Sequence, residues 1–150
     1  MARFSGGFRT TGAGSTTLPC AALQAAANYG FVLREVAVFN TTVNACVYKL
    51  VRLSTAGTPG TSQTEAEWDQ EGPAPADVAI SLNDVYTSTA PTTAELGPRF
   101  SLGGAIGSGV VRTFGGPGIR CPLGTANGIG LLLATGTGQI LDVDFVWEVG

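Results

Sequence analysis

Asp142 and Asp144 stand two residues apart in an alternating apolar run, and that spacing could do chemistry. On a strand it places both carboxylates on one face with their Cα atoms ~6.6 Å apart. Inverting glycosidases use carboxylate separations in this range, and paired oxygens at a sheet rim could also hold calcium. Any Asp-x-Asp on a strand has the same spacing, and nothing nearby predicts an apolar pocket that would raise one pKa. The pair reads most simply as solvated carboxylates. Glu65, Glu67, Asp69 and Glu71 alternate through TSQTEAEWDQE without the ligand order of an EF-hand loop, so they read as an acidic loop in water.

The remaining chemistry is sparse. The chain contains no histidine and one lysine, Lys49, so its Ser, Thr and Cys side chains have no imidazole base. A Ser–Lys dyad would have to use Lys49 in the middle of a strand. Cys20, Cys46 and Cys121 are odd in number and widely spaced, which fits neither a disulfide framework nor a zinc site; buried small hydrophobes are the expected role. The glycine clusters, such as Gly103-Gly104 and Gly115-Gly116-Pro117-Gly118, are not followed by a lysine and a helix, so they predict turns and no phosphate loop. Asn40-Thr41-Thr42 matches a glycosylation acceptor, a match expected to be chance because MARFSGGFRT does not read as a secretory leader. These residues predict a protein that is not an enzyme and needs no cofactor or metal.

The elements that position these groups are strands. At 150 residues the chain can bury roughly 68–70% of its unfolded surface. Only 13% of its residues are charged, against about 25% in ordinary soluble domains, which predicts that a partner or further copies cover part of the surface. Leu141, Val143, Phe145, Trp147 and Val149 share one strand face and Asp142, Asp144 and Glu148 the other. Phe31 to Phe39 and Ala45 to Leu53 are rich in β-branched and aromatic residues, with a hairpin turn expected at 40–44 and cross-strand pairing among Arg34, Glu35, Lys49 and Arg52. Both faces of these strands are apolar, so one is expected against the core and the other against a neighbouring subunit.

Residues 18–28 (LPCAALQAAAN) favour a short helix by composition. A second short helix is expected near 62–71, where Ser62 with Glu65 and Thr64 with Glu67 fit a capping box. About eight strands separated by Gly/Pro turns complete an all-β chain, a β-sandwich or jelly roll over 31–150 with a short helix in one loop. Residues 1–30 form an expected N-terminal arm. Within it Arg3, Phe4, Phe8 and Arg9 are open to two readings, an edge strand that tucks both rings into its own core or a docking segment for another chain. Residues 1–34 hold three arginines and no acid, while the whole chain carries −3, a balance that predicts no nucleic-acid partner. No run is long enough to span a membrane as a helix.

Leu33 to Thr42 (LREVAVFNTT), Lys49 to Gly60 (KLVRLSTAGTPG), Thr64 to Pro75 (TEAEWDQEGPAP) and Gly124 to Val149 together resemble the small jelly-roll decoration, or cement, proteins of tailed bacteriophage capsids. The resemblance implies a structural virion protein on the capsid exterior, assembled in the host cytoplasm as a homotrimer on the major capsid protein. The basic, acid-free start of the chain, taken together with this resemblance, predicts capsid contact by Arg3, Phe4, Phe8 and Arg9. Val47, Tyr48, Leu50, Phe145 and Trp147 would lie in a subunit interface or in the jelly-roll core. The alternative is a receptor- or glycan-binding knob of a head or tail fibre, using Trp68 and Tyr86.

Overall fold

A computed structural model describes residues 1–150 as two antiparallel sheets packed face to face. The strands are β1 (Ala2–Arg9), β2 (Ala21–Gln24), β3 (Phe31–Asn40), β4 (Cys46–Leu53), β5 (Ala66–Glu67), β6 (Ser81–Asn83), β7 (Thr93–Leu102), β8 (Gly109–Thr113), β9 (Ile119–Cys121), β10 (Gly128–Thr135) and β11 (Leu141–Val149), with one helical turn, α1 (Pro75–Val78). The first sheet runs β5-β1-β11-β3-β8, and β9 continues along β3 beyond β8. The second runs β6-β2-β10-β4-β7.

Without the small additions β5, β6 and β9, eight strands remain, four in each sheet and in jelly-roll order, the first strand pairing the last. The expected sandwich is found, with two of its eight main strands drawn from residues 1–30, outside the 31–150 body expected for it. Period-2 alternation fills the space between the sheets. Phe4, Leu33, Val36, Val38, Phe145 and Trp147 from the first sheet meet Leu23, Tyr48, Leu50, Phe100, Ile129 and Leu131 from the second, all buried in one core. Phe4 and Trp147 are stacked with centroids 6.2 Å apart.

Several local expectations are corrected. Residues 2–9, expected in an arm, are a full strand in register with β11 from Ala2↔Val149 to Arg9↔Asp142, and residues 21–24 lie inside the second sheet. The helix expected at 18–28 is absent because pairing on both sides with β10 and β6 satisfies this buried backbone, which overrides a weak alanine-driven propensity. The helix expected near 62–71 is extended instead. Glu65 does not cap a helix; its carboxylate accepts the Leu82 N–H at 2.9 Å. The one helical turn lies further on, with Pro75 in its first turn and the Asp77 carboxylate accepting the Ala74 N–H at 2.8 Å. The segment at 40–44 is no hairpin, since it carries the chain from the first sheet to the second. Arg34 and Lys49 accordingly pair with Glu148 and Glu95 on other strands. No helix is long and apolar enough to cross a membrane.

Candidate functional site

Alternation along β1 separates the four residues expected to act together. Phe4 is fully buried on Trp147 and Phe8 packs against the same core, whereas Arg3 and Arg9 lie on the outward face. Each guanidinium meets a carboxylate of β11 directly across the ladder. Arg9 donates to both oxygens of Asp142 at 2.8 and 3.0 Å. Arg3 donates to Glu148, whose second oxygen accepts from Arg34 Nε at 2.8 Å. Glu148 therefore joins β1, β11 and β3 through one nearly buried carboxylate, and the Arg3 hydrogen bond, followed by that of Arg34, holds it below the usual carboxylate range.

Asp142 and Asp144 are on the outward face as the alternation predicted, but their surroundings differ. Arg9 lowers the Asp142 pKa, while burial and then the charge of Asp142 raise that of Asp144. Gly7 lies opposite Asp144, and a Cβ there would run into its carboxylate. Both oxygens of Asp142 are engaged by Arg9 in a bidentate pair, while Asp144 has no such partner. No three carboxylates or thiols converge on a point that could hold a metal ion.

The exposed aromatic of this face comes from the acidic loop. Trp68 donates its backbone N–H to the Arg3 carbonyl and its Nε1–H to Ser5 Oγ, both at 2.9 Å, and the Arg3 guanidinium lies 5.1 Å from the ring centroid. The indole remains 56% exposed. Beside it Met1, Ala2, Arg3, Trp68, Asp69, Gly72 and Pro73 line a hollow of about 320 Å³. Tyr86, the other aromatic expected at a binding surface, is buried instead. It packs with Ala22, Val51, Leu53 and Leu132 on the outer face of the second sheet, so the 54–92 connection covers a face expected to meet another subunit.

Of the five residues expected in an interface or the core, Tyr48, Leu50, Phe145 and Trp147 are core. The Tyr48 hydroxyl donates to the Ala13 carbonyl at 2.6 Å and accepts the Gln139 N–H at 3.1 Å. Val47 alone is partly open, lining a groove of about 400 Å³ with Cys46, Ser101, Leu102 and Thr135. All three cysteines are buried free thiols. Burial pushes Cys20 and Cys46 up and Cys121 up to about 11, so none is a thiolate near neutrality.

Sequence reading passed over two polar anchors. Glu148 appeared only as a solvent-side acid, and its role requires knowing that the last strand lies between β1 and β3. Buried Asp84 accepts from the Thr11 N–H at 3.1 Å, from the Thr11 hydroxyl at 2.6 Å and from the Val85 N–H at 2.7 Å, tying the segment after β1 to the long connection. A lone acid in the otherwise uncharged VAISLNDVY run was the available signal. Compared with family models, curated proteins and solved structures, the chain has no match.

Proposed function

We propose that this chain is a structural virion protein that decorates and stabilises the outside of a tailed-phage capsid as a homotrimer. The observation that carries the reading is the resemblance of residues 33–149 to capsid decoration proteins, taken with a jelly-roll strand order that viral coat domains also use. Arg3 and Arg9, which face outward, are the capsid-contact residues in this reading; Phe4 and Phe8 support them from the core side of the same strand. Binding only to the closed mature lattice would stabilise that lattice by mass action. Quantitative mass spectrometry of purified virions tests the reading. Copies comparable to the major shell protein are expected, and absence from the particle would end it.

Trp68 favours a second reading, a glycan-binding knob. An exposed indole beside Arg3 and Asp69 offers an aromatic face with polar groups at its rim, the combination a sugar ring needs. A few copies per virion, with a glycan-array signal that Trp68→Ala abolishes, would replace the first reading with this one.

A further inference from the structure

The two long edges of the sandwich carry opposite charge. From Leu53 to Ala94 the chain has no Lys or Arg, and Glu65, Glu67, Asp69, Glu71 and Asp77 fall in the part of this connection that forms and follows the β5 edge. Glu67 and Glu71 have no side-chain partner, and Asp69 and Asp77 accept only backbone N–H groups. At the opposite edge, four strand spacings or ~19 Å away, β4, β7, β8 and β9 carry Lys49, Arg52, Arg99, Arg112 and Arg120. Against these five cations stand only Glu95, shared by Lys49 and Arg99, and Glu35 one strand inward. Arg112 and Arg120 have no acidic partner on their own chain. Each edge also shows one exposed apolar side chain, Trp68 on the acidic side and Val111 on the basic side.

Both edges are built against continuing the sheet. β5 has two residues and β6 three. β7 is interrupted by a register shift at Gly97-Pro98, where Gly97 has φ +110, and Arg112 of β8 turns over the Phe100 ring at 5.8 Å. Short, bulged or charge-bearing edges do not template strand addition. Contact at these edges is therefore made by side chains.

We infer that the acidic β5 edge of one copy docks on the basic β7–β8 edge of another, a head-to-tail contact made by charge complementarity around Trp68. Such a heterologous contact joins different patches on the two copies, so each copy keeps one free patch until a ring closes. The homotrimer proposed above is the case in which closure takes three copies. The contact itself rests on the charge layout and does not require a capsid.

Charge reversal at each edge tests this, read by sedimentation velocity on the full chain at ~0.01 M and ~1 M salt, between which the Debye length falls from ~30 to ~3 Å. The wild-type chain is expected to assemble at low salt and to weaken at high salt. Glu67→Lys with Glu71→Lys, and separately Arg99→Glu with Arg120→Glu, should each give folded monomers, checked by thermal melting. Mixing the two variants restores association, because the changed edge of one complements the changed edge of the other and their two unchanged edges remain complementary, and a chain carrying all four changes assembles with itself. A wild-type monomer at low salt, reversed variants that keep the wild-type mass, or a mixture that fails to associate would each overturn the contact. Virion copy number is read separately, so loss of the decoration reading and loss of this contact are distinguishable.

Discussion

Glu148 shows how much of this chain's polar chemistry goes into holding strands together. Its carboxylate accepts from Arg3 and Arg34 while its side chain is only 11% exposed. Replacing it with alanine leaves two guanidiniums facing each other across the gap, and we expect Glu148→Ala to lower stability by about 1–3 kcal/mol in urea unfolding. The sign of its pH dependence follows from its depressed pKa. The unfolded carboxylate titrates near 4.3, so the stabilisation is fully present above that pH and is lost as pH falls through the lower folded value. The stability gap between wild type and Glu148→Ala should therefore close in acid; a gap unchanged from pH 7 down to pH 3 would show that the network contributes through packing alone. Asp144 has the opposite sign, because its raised pKa makes the ionised form the costly one, and its protonation offsets part of the acid loss.

Among the elements, β1 departs most from its sequence reading. Residues 2–10 read equally as an edge strand or a docking segment because a Gly-rich strand with two rings has no clear period. The fold resolves this through β11, which offers a complete ladder and a ring, Trp147, for Phe4 to stack on. Deleting residues 2–10 would remove a buried aromatic and expose one side of β11, so loss of the cooperative thermal transition is expected; retention of the wild-type melting temperature would restore the arm. β11 and β3 were legible because strict alternation or dense β-branching survives in a single sequence. β2 was not. Its four buried residues are Ala, Ala, Leu and Gln, with no alternation, and they are strand only because β10 and β6 flank them. The acidic loop also carried a helix signal, but its Glu65 is drawn away to the Leu82 amide.

For the whole molecule, the jelly-roll order makes nearly every pairing long-range, since β1 waits for β11, β2 for β10 and β3 for β8. Loop closure must precede these contacts, which places refolding in the ms–s range. Stopped-flow fluorescence of Trp147 checks this, and a microsecond phase that accounts for the whole amplitude would contradict it. The charge division between the two edges was present in the sequence as a stretch without Lys or Arg, yet its meaning depended on knowing that this stretch and β7–β9 end on opposite sides. Pairing of the first strand with the last has a mechanical consequence as well. Ala2 lies opposite Val149, so Met1 and Gly150 leave the sandwich at the same pole, and the ladder bonds between β1 and β11 lie across the strands. Tension applied through the two ends would open that ladder rung by rung, as a zipper. A load applied between the opposite ends of β1 and β11 would shear all eight rungs together, so this ladder resists force best along its strands and least from the end where Ala2 meets Val149.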